Sequence, residues 1–435
     1  MSTAVAEVPP RAAVPAPPPP GPKVLPRFAQ GMRMLLTEHR MLERYRRRYG
    51  DVFAVDVWPF DPLVVVAEPA EVRRIFTGDP AVLHAGEGNG ILGPLVGPHS
   101  VLLLDDGEHL RRRKLLLPPF HGERMRVYGD VMREIAAAEV DRWPAGEVFA
   151  LLPSMQRITL RIILRTVFGM QEGARMDRLE GDLARLLGSS NAMMTPALQR
   201  DFGGRGPWAR FKRLCDEVDA QLFDEIARRR ATGAQGEDIL SMLLTATPDA
   251  TDAELRDDLV TLLVAGHETT ATTMAWTLER LMRHPEALAR SREDGAYLDA
   301  AVKEAQRVRP VITYVMRRLT APFAVGGYTA PAGATLGTSV TLMHRRADLY
   351  PEPHAFRPER FLDGKPDTYG WVPFGGGVRR CLGAAFAQYE MRQVLGTVLE
   401  RCDLRPDDPR PERHRRKMIT FIPARGARAV MTPRA

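Results

Sequence analysis

Two hydrophobic periods alternate along this chain. From Arg27 to Tyr49 (RFAQGMRMLLTEHRMLERYRRRY) the pattern reads as one amphipathic helix, and Gly50 stops it. VFAVDVW at 52–58 and LVVVAE at 63–68 read as strands, separated by Pro59 and an Asp61-Pro62 turn signal. They predict a hairpin-like pair followed by a helix at AEVRRIF. Residues 81–102 hold five glycines and two prolines among apolar residues, which predicts a long loop. From Gly107 to Ile239 the pattern is mostly amphipathic helix, broken near Gly203-Gly204 and Gly206-Pro207. Thr251-Asp-Ala-Glu254 is a capping-box pattern, opening a helix that runs past Leu281 to a stop before Pro285. Beyond Pro310 come short β-prone runs with Gly and Pro turns, such as FAVGGYTAPAGATL. No internal repeat interrupts this order. The pattern predicts a mainly α chain with small β-sheets at the start and in the final third.

Composition narrows the class. A length of 435 residues exceeds the usual single-domain size but suits some single-fold enzymes, and a 44% hydrophobic content supplies a large core. Residues 1–25 (MSTAVAEVPPRAAVPAPPPPGPKVL) are Ala/Pro-rich and are expected to form a disordered, extended tail, with one domain over 26–435. The formal net charge is +7, from 61 Lys and Arg against 54 Asp and Glu. The basic tracts are short: Arg46 to Arg48, Arg111 to Lys114, and Arg413 with Arg415, Arg416 and Lys417. They read as solvated faces or a docking surface for an acidic partner, not as a nucleic-acid interface. Cys215, Cys381 and Cys402 stand far apart, which argues against a disulfide framework and excludes a Cys-rich zinc site. No run approaches the roughly 18 apolar residues of a membrane span. A cytoplasmic protein is expected.

Four constellations carry candidate chemistry. In FGGGVRRCLG (374–383), Cys381 follows three glycines and two arginines and precedes good helix formers. Cations and a helix N-terminus favour a thiolate, and glycines permit close approach to a flat ligand; the same stretch also fits a small buried cysteine after a turn. It lacks both phosphate-loop templates. AGHETT (265–270) is no zinc H-E-x-x-H site, because residue 271 is alanine. It leaves Gly266 beside an acid and an alcohol, Glu268 and Thr269, or simply a helix whose hydroxyls bond back to carbonyls. Glu304 and Arg307 share a helix face at i, i+3 spacing, as in many surface pairs. His109 and Arg113 lie one turn apart, able to reach one anion or to form a solvated basic face.

Phe374, Gly377, Arg379, Cys381 and Gly383, as F-x-x-G-x-R-x-C-x-G, resemble the haem-binding loop of the cytochrome P450 family. The other three motifs follow in the family's order, and the resemblance runs from about Pro22 to the C-terminus. It implies the helix-rich triangular P450 fold, haem b (iron protoporphyrin IX) and Cys381 as the iron's ligand. It further implies His109, Arg113 and Arg317 at the haem propionates, with Arg318 adjacent, and Gly266, Phe374 and Arg379 beside the cofactor. Glu268 and Thr269 would organise proton delivery, while Glu304, Arg307 and Arg360 would form a buried structural network.

The implied reaction is monooxygenation, with one atom of O2 entering the substrate. Electrons would come from NAD(P)H through a ferredoxin and ferredoxin reductase, docked on Arg111, Arg112, Lys114 and Arg380 of a monomer, with Arg112 pointing outward. By the same resemblance, residues 85–103, Leu262, Leu263, Val311–Val315 and Ile419–Phe421 would line an apolar pocket, with Thr313, Tyr314 and Thr420 as polar handles. The expected substrate is lipophilic: a terpenoid, fatty acid, steroid or polyketide. A haem-thiolate isomerase or peroxygenase, and a non-catalytic haem sensor, are the alternatives.

Overall fold

The computed structural model describes residues 16–22, 26–57, 60–120, 124–190, 199–200, 203–233, 236–362, 364 and 367–434. The first helix is Arg27–Tyr49, ended by Gly50. Val52–Val57 and Phe60–Val66 then pair antiparallel. Asp61 and Pro62 lie inside the second strand rather than in a turn, and residues 58–59 fall outside the described residues. Phe60–Val66 runs parallel to Thr335–Ser339, which continues antiparallel to Tyr314–Leu319 and then Leu83–His84. One five-stranded sheet thus joins the two β-rich ends of the chain.

The glycine-rich stretch at 81–102 is less irregular than its composition predicts. It holds the Leu83–His84 strand and single helical turns at Ala85–Gly88 and Gly93–Val96. The Asp105 carboxylate accepts from the amides of Ala85, Gly86 and Glu87, supplying partners that free helix-end N–H groups need. The tail expectation also changes in part. The carbonyls of Pro17 and Pro20 accept from the amides of Thr329 and Ala54, so residues 16–22 are attached both to the separate hairpin of Phe323–Val325 with Tyr328–Ala330 and to the edge strand Val52–Val57. Residues 1–15 and 23–25 lie outside the described residues.

Helices Asp106–Leu116, Arg124–Val140, Leu151–Thr166, Ala174–Ser189, Pro207–Ala231 and Ile239–Ala246 fill the predicted helical stretch. The long helix, Asp252–Met282, starts from the predicted capping box: Thr251 and Glu254 exchange side-chain and backbone hydrogen bonds. It packs most extensively on Leu151–Thr166 and also on Gly295–Val308 and Ala384–Arg401. A Cβ at Gly266 would sit 3.2 Å from Ile163 Cδ1, so this glycine permits close helix–helix approach. Towards the C-terminus, Val148–Ala150, Arg428–Pro433 and Cys402–Pro406 form a second sheet, and His414–Lys417 pairs with Thr420–Pro423 as a hairpin.

His267 shows what this interior costs a charge. It is buried on the long helix, with Nδ1 2.8 Å from Thr159 Oγ1. Burial pushes its imidazole down to about 4; Glu268 opposes that shift and Lys417 adds to it. An unfolded imidazole titrates near 6.5. Between those values the unfolded chain binds the extra proton, so stability is lost as pH falls through this window. From pH 7 to 4.5 the parent should lose about 2 kcal/mol more than His267→Gln in denaturant unfolding. Equal losses would show that His267 charges without penalty.

Candidate functional site: a cysteine loop within a cation cluster

The loop before Cys381 is shaped by glycine. Gly375 and Gly377 have φ of 65° and 62°, the left-handed region that side chains disfavour. A Cβ at Gly377 would overlap the Phe76 carbonyl. The Phe374 carbonyl accepts from the Cys381 amide at 2.9 Å, closing the loop, and Ala384–Arg401 begins three residues later. The Phe374 ring meets Trp371 edge-on, with centroids 6.2 Å apart.

Cys381 is exposed, while Cys215 and Cys402 are buried. Although accessible, its sulfur has protein on enough sides for burial to push the thiol up. The Gly383 amide, Arg113 and Arg380 pull it back down without cancelling the effect. The expected cations are therefore present but do not by themselves favour the thiolate; coordination to a metal would ionise it.

Around this loop the chain gathers positive charge. Arg379 donates to the Leu104 carbonyl at 2.6 Å and pairs with Asp105 at 2.5 Å. Arg317, not Arg318, is the buried member of that pair, and its guanidinium lies 5.7 Å from the Phe76 ring centroid. Burial and then Arg379 lower Arg317 to about 10, and Asp105 opposes them. Burial, Arg379, Arg113 and Arg317 lower His109 to about 4, against Asp105. Four cationic or ionisable side chains thus lie within electrostatic reach of one another with Asp105 as their main counter-charge. This arrangement suits a cofactor with more than one carboxylate, so the residues fit haem.

The long helix presents a second face. Ala265 is exposed, Gly266 and Thr269 are half-buried, and Leu263 is fully buried. Thr269 Oγ1 donates to the Ala265 carbonyl at 2.6 Å, the back-bond its sequence allowed. The missing side chain of Gly266 points at Ile163, so Ala265 rather than Gly266 occupies the open face. Glu268 Oε2 accepts from Gln156 at 3.0 Å and from Lys417 at 2.8 Å. Two supposed pocket handles are already engaged: Thr313 donates to Glu38 at 3.1 Å and Thr420 to the Lys417 carbonyl at 2.8 Å. Leu263 sits in the main core cluster, so Leu262 is the partly exposed member of that pair.

Arg112 does not point outward as expected. It is 3% exposed and pairs with Asp258 at 2.6 Å, while donating to the Glu254 carbonyl at 2.8 Å. Its i, i+3 position relative to buried His109 places it on the inner helix face. Arg111, Lys114 and Arg380 are exposed as expected, and Arg113 is half-buried. Arg416 and Lys417 are not free surface cations either, since they pair with Glu38 and Glu268.

The Glu304–Arg307 pair has both side chains 0% exposed, with two N–H···O contacts of 2.7 Å. Arg307 also donates to the carbonyls of His344, Pro353 and Ala355. Glu304 accepts from the Arg357 amide at 2.8 Å, and Arg360 lies 3.5 Å from the same carboxylate oxygen. Glu304, Arg307 and Arg360 thus lie together in one cluster centred on the buried carboxylate. Asp105, Gln156 and Lys417 were missed, because no local spacing marks them as partners of Arg379 and Glu268.

A cysteine loop just before a helix, cations gathered near it and a long helix that carries an acid–alcohol pair make up, in this helix-rich fold, a site that would accept a haem. The family model for cytochrome P450 matches residues 15–427, and the chain belongs to that family of monooxygenases. It is 42% identical over 431 residues to cytochrome P450 135B1 of Mycobacterium tuberculosis, covering 94% of this chain and 90% of that one. Cytochrome P450 138 of the same species is 39% identical over 444 residues, covering 97% and 99%. Among solved structures, retinoic acid-bound cyanobacterial CYP120A1 superposes with a TM-score of 0.84 at 23% identity, covering 96% and 100%. The cytochrome P450DA haem domain gives 0.86 at 21%, covering 97% and 98%. The family implies haem, and no helix among the described residues is long and apolar enough to cross a membrane.

Proposed function

We propose that this protein is a cytoplasmic, monomeric monooxygenase that inserts one atom of O2 into a lipophilic small molecule: a terpenoid, fatty acid, steroid or polyketide. Electrons come from NAD(P)H through a ferredoxin and its reductase. The balance is RH + O2 + two electrons + two protons giving ROH and water. The observation that carries this reading is the convergence of His109, Arg113, Arg317 and Arg379 around the Cys381 loop.

Cys381 would ligate the iron. Arg113, Arg317 and His109 would hold the propionates, and Phe374 and Arg379 would support the loop. When bound, a thiolate-ligated haem supplies O2 activation, its sulfur favouring O–O cleavage. The chain's own part is to orient the substrate, exclude water and move protons through Glu268 and Thr269. That intact acid–alcohol pair supports a monooxygenase over a peroxygenase or isomerase. The test is a panel of lipophiles read as a low-spin to high-spin Soret shift, followed by product and NADH stoichiometry with a supplied ferredoxin and reductase. Spin-shifting ligands without any oxidised product would favour a sensor.

For the electron donor, the docking cations reduce to Arg111, Lys114 and Arg380. Arg111→Glu with Lys114→Glu should slow stopped-flow reduction at low salt, with the difference fading as salt rises, because exposed charges are screened beyond about 8 Å at physiological ionic strength. Reduction as fast as the parent at low salt would move the docking face elsewhere. Arg112→Glu instead places two like charges in a buried site and should cost about 3–5 kcal/mol of stability.

A further inference from the structure

We infer that Lys417 is a positioning residue for Glu268: with Gln156 it fixes carboxylate oxygen Oε2, leaving Oε1 as the oxygen that exchanges protons. This rests on the monooxygenase reading of Glu268. Lys417 Nζ and Gln156 Nε2 reach Oε2 at 2.8 and 3.0 Å. Among the described residues, Oε1 is buried with no hydrogen-bond partner. A purely structural ion pair would gain by engaging both oxygens, since a buried acceptor left unmade costs free energy. Here one oxygen is held and the other kept available, immediately before Thr269 in the chain.

The hairpin carrying Lys417 is braced for this task. Lys417 faces Thr420 across the hairpin, and the Thr420 hydroxyl donates to the Lys417 carbonyl at 2.8 Å. Between them, Met418 has a φ of 50°, an uncommon conformation for a side-chain-bearing residue. Arg416 pairs with Glu38 of the first helix and lies 5.0 Å from the Phe421 ring centroid. Phe421 donates its amide to the Val311 carbonyl at 2.9 Å, and its own carbonyl accepts from Trp276 Nε1 at 3.1 Å. The base of Lys417 is therefore tied to the long helix that carries Glu268 by contacts independent of the ion pair. Lys417→Met should leave those ties in place.

Protons misdirected at this point would send electrons to peroxide: O2 + two electrons + two protons gives H2O2 instead of water and product. The haem-loaded full chain is assayed with NADH, a plant-type ferredoxin and its reductase, and peroxide formed per NADH is measured. Lys417→Met should raise that share several-fold with the CO-bound Soret band unchanged, and Lys417→Arg should restore it. A second arm needs no turnover: acetylation of Lys417 by acetic anhydride, followed by peptide mass spectrometry. Glu268→Gln should raise the Lys417 rate about fivefold, the factor an ion pair of this exposure commands, while Lys114 reacts as before. An unchanged Lys417 rate removes the pair from solution and overturns the inference. An intact pair with an unchanged peroxide share in Lys417→Met makes the lysine structural, and also overturns it. A parent without the thiolate-type CO spectrum would defeat the haem reading itself, and this inference with it.

Discussion

Cys381→His abolishes or shifts the red-displaced Soret band of the reduced, CO-bound protein, whereas Cys215→Ser and Cys402→Ser retain it. The reason is positional. Cys381 is the exposed thiol, set after left-handed glycines and within reach of Arg113 and Arg380. Burial pushes Cys215 up to about 12 and Cys402 up to about 11. Both lie buried in the main core cluster, where their sulfurs are enclosed by packed side chains and a flat cofactor has no room to approach. Histidine keeps a donor atom but not the anionic sulfur, so a variant that retains haem should give an imidazole-type spectrum. An unchanged band in Cys381→His would end the assignment of the ligand.

Arg307→Ala should yield little or no folded haem protein. The substitution leaves the Glu304 carboxylate buried at 0% exposure, with Arg360 at 3.5 Å as the nearest remaining cation. It also strips partners from the carbonyls of His344, Pro353 and Ala355. Breaking a buried pair costs about 3–5 kcal/mol, a large part of a typical total stability of about 5–15 kcal/mol. Expression yield, haem content and denaturant unfolding measure the effect. Removing both charges as Glu304→Leu with Arg307→Leu should recover part of the pair's loss relative to Arg307→Ala, because no orphaned carboxylate remains. If Arg307→Ala folds and binds haem as well as the parent does, the network is dispensable. If the double variant is no better than Arg307→Ala, the lost carbonyl bonds, and not the orphaned charge, dominate.

Local signals in the sequence were sufficient for the elements with local causes. The Thr251 capping box started the long helix, Gly50 ended the first, and period-two apolar runs became the first strand pair. The cysteine loop was equally legible, because close approach to Phe76 and left-handed turns demand glycine at fixed places in a continuous stretch. Asp61-Pro62 misled, since proline is tolerated within a strand where no ladder bond needs its missing N–H. The glycines at 81–102 misled too: Asp105 supplies partners for a helical turn from outside that stretch.

Tertiary structure alone decided which charges meet. Arg112 and Arg113 are adjacent, and nothing in their local sequence says that the first turns inward to Asp258 while the second remains half-buried near the cysteine. Helix phase and the packing of a distant helix settle it. Arg317 and Arg318 are a similar pair: strand alternation puts them on opposite faces, but only the sheet's docking buries the first. Lys417 and Glu268 lie 149 positions apart, joined because a C-terminal hairpin returns to the long helix. Motifs record chemistry that a short stretch can hold by itself; a counter-charge supplied from across the fold leaves no spacing to read.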